Sequence, residues 1–191
     1  MMRFDELSAI AWTWEGLGAL WLAGFAFTKR TVSKEPLGPR AANIATGFLG
    51  FAMLGMPWFD WGWLGIRFAP DTEAVRMAGL IVTVCGAAFA AWARLKLGTN
   101  WSGRPSVKEG HELIMNGPYA LARHPIYTGL LLGVAGTALA MGKWRAVVGV
   151  LVLAIAFAAK MRQEERMMLQ TFPEAYPRYR ERVKALIPGI L

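Results

Sequence analysis

Apolar runs of bilayer length recur along this chain, and they constrain the fold before any other feature does. About 20 apolar residues cross a hydrocarbon core as a helix. Five runs approach or reach that length: Leu7–Thr28, Ala41–Trp58, Ala74–Leu97, Pro125–Met141 and Trp144–Ala159. The last two lie near the lower limit, and only Gly142-Lys143 separates them, so they read as a helical hairpin. Charged residues make up 18% of the 191, against about 25% in soluble domains. They fall in clusters between the runs. This excludes a disordered or collagen-like chain and most soluble folds. The expectation is one all-α integral membrane domain, 1–191, with about five transmembrane helices. Three spans occupy 1–97, a polar segment 98–124, the hairpin 125–159 and a charged tail 160–191. Met1 to Glu6 makes a poor signal-peptide start, so the first run is expected to stay in the mature protein.

Charge sets the expected topology. The loop after the first run holds Lys29, Arg30, Lys34 and Arg40, the segment 94–123 holds five basic residues, and the tail holds seven more. Basic loops stay in the cytoplasm. The N-terminus is then outside, and the polar segment and tail are inside. The net charge of +8 therefore points to anionic head groups rather than to nucleic acid. Trp58, Phe59, Trp61, Trp63 and Phe68 suit the opposite membrane interface. Cys85 is the only cysteine, and His111 and His124 are the only histidines. No disulfide and no metal centre is expected from so little material. Glu15, inside the first run, is expected to be structural, because the outer half is far from the polar segment.

Polar complexity gathers at the cytoplasmic boundary, in 98–127 and 160–188, more than a plain anchor requires. Gly117-Pro118 makes a sharp turn, and Pro125 suits the first turn of a helix. His124 then stands at the positive end of the fourth helix. As residue types, His124 and Tyr127 would also serve as simple caps. Lys160 and Glu164 are four apart and share a helix face, as do Arg162 and Arg166. Two adjacent carboxylates, Glu164 and Glu165, at the end of a span are costly and so point to a site.

The ordered string Gly117-Pro-Tyr119, Arg123-His-Pro-Ile-Tyr127-Thr-Gly129, the hairpin, Glu164-Glu165, Phe172, Tyr176, Tyr179 and Ile187-Pro188 resembles the isoprenylcysteine carboxyl methyltransferase family. Phospholipid N-methyltransferases share much of it. The resemblance covers about half the chain, from Leu97 to Pro188. It implies S-adenosylmethionine as cofactor, a lipid-like acceptor, and a cytoplasmic cofactor pocket closed by the tail. It implies Arg104, His111, Glu112, Leu113, Ile114, Tyr119, His124, Pro125, Ile126, Tyr127 and Glu164 as cofactor residues. Glu164 would meet the cofactor's amino group. Arg104, His124 and Tyr127 would donate to its carboxylate, and Leu113, Ile114 and Tyr119 would line the adenine. Where the family faces the carboxyl substrate with arginine, this sequence has Lys160, a point charge without a bidentate fork, with Arg162 nearby. An ionised carboxylate or thiolate acceptor needs no base, whereas an amine would need one, and Glu165 is the candidate. An NADPH-dependent membrane reductase and a non-enzymatic membrane scaffold are the rival readings.

Overall fold

A computed structural model describes residues 5–25, 37–98 and 113–189. Arg104, His111 and Glu112 lie outside the described residues. Within them the chain is all-α: α1 Glu6–Phe25, α2 Leu37–Gly55, α3 Glu73–Leu97, α4 Pro125–Met141, α5 Trp144–Thr171 and α6 Ala175–Arg182. Short 3₁₀ turns at Pro57–Phe59, Gly62–Gly65 and Gly117–Ala120 connect them.

Local chemistry sets the boundaries. The Thr72 hydroxyl accepts from the Val75 N–H, and Glu73 meets the positive end of α3. Pro125 opens α4, where its missing N–H costs nothing. Gly142 closes α4 at φ 65°, a left-handed cap that glycine adopts without strain. The fifth apolar run and the start of the charged tail form one continuous helix, α5.

The helices alternate in direction. Arg76 near the start of α3 pairs with Glu6 at the start of α1, and Arg94 near the end of α3 lies against Gly24 near the end of α1. α3 and α4 make the closest crossing. A Cβ on Gly86 would stand 2.6 Å from the Gly129 carbonyl oxygen, and one on Gly136 2.7 Å from that of Gly79. Small residues let two backbones approach this closely, as helix pairs in lipid require. The crossing is stitched by hydroxyls. Thr83 Oγ1, fully buried, donates to carbonyl oxygens of Gly79 and Gly133 at 2.9 and 3.2 Å and lies 3.3 Å from Thr137 Oγ1. Trp14 Nε1 of α1 donates to Thr137 Oγ1 at 3.0 Å. α2 packs on α5, with Gly50 against Gly149 and Leu153. The core, Leu54, Val134, Ala138, Ala146 and Leu153, lies where α2, α4 and α5 meet.

Two basic residues after α4 are built into the far end of the bundle. Arg145, 5% exposed, donates to the Met53 and Leu54 carbonyl oxygens and to Asp60 at 2.7 Å. Lys143 also pairs with Asp60. Trp58, Trp61 and Trp63 stand exposed beside them. Glu15 is exposed on α1.

Leu22, Phe48 and Ile155 point outward, 72%, 68% and 66% exposed. An apolar outer surface over apolar helices is the pattern of a protein solvated by lipid. α3 and α5 are long and apolar enough to cross a membrane, while α4 and the apolar part of α2 are shorter. α1, which carries Glu15 and three tryptophans, is not among the helices that reach that criterion.

Candidate active site at the ends of α4 and α5

The start of α4 and the charged last turns of α5 meet at one end of the bundle. Tyr127 donates its hydroxyl to Glu164 Oε1 at 2.6 Å. A hydrogen bond to an ionised oxygen is short and strong. His124 sits between the paired carboxylates, with Nδ1 3.5 Å from Glu164 Oε2 and Nε2 3.3 Å from Glu165 Oε1. Burial disfavours charge on this imidazole, but the hydrogen bonds and negative charge of Glu164 and Glu165 outweigh it and hold its pKa above the ordinary histidine value. The Tyr127 ring stacks between His124 and Phe157, with centroids 5.8 and 5.0 Å away. Lys160 Nζ lies 5.7 Å from the centroid of the same ring, a cation–π distance.

Helical spacing explains this assembly. Phe157, Lys160 and Glu164 recur at three and four residues and so share one face of α5. Pro125 starts α4 immediately after His124, which leaves His124 as the non-helical cap beside the first turn that carries Tyr127.

Tyr119, in the 3₁₀ turn 117–120, is buried and places its hydroxyl 3.5 Å from the Ala93 carbonyl oxygen of α3. Burial is the main reason its hydroxyl is held protonated, with the Glu164 charge adding to it. Tyr179 of α6 donates to the Tyr119 carbonyl oxygen at 2.6 Å. Pro125 is buried, and Leu113, Ile114 and Ile126 are half-buried.

Among the expected residues, His124, Tyr127, Lys160, Glu164 and Glu165 come together. Arg162 does not join them and is exposed on α5. The Tyr127 hydroxyl and the His124 ring, expected to face a cofactor carboxylate, instead hold the carboxylates of α5. Glu165, expected as a base, takes Nε and Nη2 of Arg123 on Oε1 at 2.9 and 2.7 Å. Its Oε2 lies 3.6 Å from Arg180 Nε. A carboxylate held by two guanidinium groups is a weak base. Arg123 is the residue whose importance the sequence reading missed. Its signal was its place directly before His124 in the motif.

A family model described as the isoprenylcysteine carboxyl methyltransferase (ICMT) family matches residues 78–170. The cobalt-zinc-cadmium resistance protein CzcN of Cupriavidus metallidurans is 37% identical over 130 residues, which cover 67% of this chain and 54% of that protein. The nickel-cobalt-cadmium resistance protein NccN of Alcaligenes xylosoxydans xylosoxydans is 32% identical over 122 residues, 63% of this chain and 54% of that one. The protein-S-isoprenylcysteine O-methyltransferase of Schizosaccharomyces pombe is 33% identical over 81 residues, 42% of this chain and 34% of that one. The chain thus spans about half the length of the first two relatives. The solved structure of the eukaryotic intramembrane Ras methyltransferase ICMT superposes with a TM-score of 0.57 at 21% identity, covering 82% of this chain and 55% of that one. That likeness gives the fold. The matched segment starts inside α3, includes α4 with its Arg-His-Pro-Ile-Tyr string, and ends within α5 after Glu164-Glu165. Over that segment, slightly under half of the chain, the sequence matches the isoprenylcysteine carboxyl methyltransferase family.

Proposed function

We propose that the chain is an S-adenosylmethionine-dependent membrane methyltransferase whose acceptor is amphiphilic and anionic, first a prenylcysteine carboxylate. The observation that carries this reading is the convergence of Tyr127, His124 and Glu164 at one end of the bundle. In this reading the chain crosses the membrane five times, with its N-terminus outside and the site at the cytoplasmic face. The donor set fits such a cofactor. Glu164, aimed by Tyr127 and His124, would hold its ammonium group. Arg104 would serve its carboxylate, and Leu113, Ile114 and Tyr119 would flank the adenine. His111 and Glu112 complete the segment. The cofactor supplies an activated methyl group on sulfonium.

The chain's own work is positioning. Lys160, at the Tyr127 ring, would attract and orient an anion. Its ammonium gives attraction without fixing the plane of a carboxylate, so a thiolate is served as well as a carboxylate. Arg162, one turn before Arg166, is the further cation that would assist from the outer side. A carboxylate or thiolate arrives ionised and needs no proton removed, so catalysis rests on orientation and exclusion of water. An amine acceptor would need a base. Glu165 is occupied by Arg123, His124 and Arg180, which favours the anionic acceptor over the amine.

Calorimetry of the detergent-solubilised chain with S-adenosylhomocysteine and, in parallel, NADPH tests the cofactor class. Micromolar binding of the nucleoside is expected, and heat from NADPH alone overturns the reading. Radiolabelled methyl transfer over prenylcysteine, thiol and total-lipid acceptors then identifies the substrate. The panel is wide because two relatives are named for metal resistance and another for prenylcysteine methylation.

A further inference from the structure

The Arg123–Glu165 pair does more than fill space beside the site. We infer that these two are positioning residues: their ion pair pins the tail segment 183–186 against the start of α4 and couples its docking to occupancy of the His124–Tyr127–Glu164 cluster. The coupling rests on the methyltransferase reading, whereas the pin stands without it.

The geometry starts from one guanidinium. The side chains of Arg123 and Glu165 are 10% and 16% exposed. Arg123 gives Nε and Nη2 to the carboxylate and turns Nη1 to the tail, where it donates to the carbonyl oxygens of Val183 and Arg180. A planar fork can serve a carboxylate with one edge and carbonyls with the other, and a lysine cannot. Directly alongside, the N–H of Arg123 donates to the Lys184 carbonyl oxygen at 2.8 Å and that of His124 to Ala185 at 2.9 Å. Thr128 Oγ1 donates to Leu186 at 2.8 Å. Four successive tail carbonyls are therefore held by three residues at the head of α4. The two N–H groups belong to the residues just before the helix, where no intrahelical partner exists and a partner must come from elsewhere.

The link to the cluster is His124. Its main chain holds the tail, while its ring bridges Glu165 to Glu164. Loss of the pin removes a partner from Glu165 and frees the tail that fixes the His124 main chain. The aim of Glu164 then loosens with it.

Trypsin reads the tail directly, because Arg182 and Lys184 flank the pinned carbonyl of Val183. The full chain in detergent micelles is digested with and without S-adenosylhomocysteine, and release of the C-terminal peptide is timed by mass spectrometry. Arg123→Gln and Glu165→Gln are each expected to speed release by about tenfold or more, since breaking a buried pair strands the remaining group. They are also expected to weaken S-adenosylhomocysteine binding. The exchanged pair Arg123→Glu with Glu165→Arg is expected to recover part of both losses, which a general loss of folding would not allow. Arg123→Lys is expected to keep the charge and lose the protection. Unchanged release in both single variants, or an exchanged pair no better than either, overturns the pin. Faster release with unchanged S-adenosylhomocysteine affinity overturns the coupling. If the unaltered chain binds no S-adenosylhomocysteine, the methyltransferase reading and the coupling fall together, and the ligand-free release rates still judge the pin.

Discussion

Replacing Gly86 with alanine tests the α3–α4 crossing on which the site stands. The new Cβ would sit 2.3 Å from the Gly133 N and 2.6 Å from the Gly129 carbonyl oxygen. Ordinary contact begins at 3.4 Å, so the backbones must part by 3.4 − 2.3 = 1.1 Å. No flexible side chain can yield instead. Overpacking of this kind costs about 1–3 kcal/mol. Alanine is also a better helix former than glycine by about 0.5–1 kcal/mol, which would mask part of that cost. Gly16→Ala supplies the control, because nothing lies within 4 Å of a Cβ at Gly16 and the same helix gain applies. The difference between the variants isolates the crossing. In a chain of this size about 1–3 kcal/mol separates the melting temperatures by roughly 2–12 °C. Thermal unfolding of both variants in the same detergent, followed by circular dichroism, measures it. Melting temperatures within about 1 °C of each other would refute the reasoning. The functional consequence is testable in the same samples. A displacement near 1 Å at the head of α4 moves His124 and Tyr127, and misplacement on that scale costs about 100-fold in rate.

Glu164→Gln is expected to weaken S-adenosylhomocysteine binding more than Lys160→Ala, while Lys160→Ala lowers acceptor turnover; calorimetry and methyl-transfer rates rank them, and the opposite ranking exchanges their roles. His124 has a raised pKa in the folded chain, so its contribution to stability is complete below the unfolded value of about 6.5. It is lost as pH rises through the higher folded value. Thermal unfolding should therefore show a stability loss as pH rises above the unfolded histidine value of about 6.5 that His124→Asn flattens, and equal slopes in the two proteins would count against the carboxylate bridge. Arg145→Met removes a buried cation from Asp60 and from two carbonyl oxygens at the end of α2. A loss of about 3–5 kcal/mol is expected from breaking such a site, and an unfolding transition within 2 °C of the unaltered protein, taking roughly 2–4 °C per kcal/mol, would show that the cluster is solvated.

The legible parts of the sequence were those whose physics is local. Pro125 and Gly142 mark the two ends of α4, and both boundaries match the structure. The Lys160–Glu164 spacing placed one face of α5, and that face does meet Tyr127. The partners of Arg145 come from positions 53, 54 and 60, which no local pattern reveals. The same holds for Arg123, whose partners lie about 40 to 60 residues away. The tail's contribution was hidden for another reason. Carbonyls of Lys184 and Ala185 accept from main-chain N–H groups, and a backbone hydrogen bond carries no side-chain signature. Glycines in α3 and α4 were visible as letters. Their pairing depends on the rotation of each helix about its own axis, which hydrophobicity constrains poorly when lipid surrounds both.

The Thr137 hydroxyl meets Trp14 of α1, Thr83 of α3 and the Gly133 carbonyl of its own helix. One oxygen thereby sets the rotational phase of three helices at once. Tyr127 stands ten residues nearer the opposite end of α4, about 15 Å along the axis, on the same rigid rod. The hub and the chemistry are therefore geared together, and a rotation at the hub reappears as a swing of the phenol.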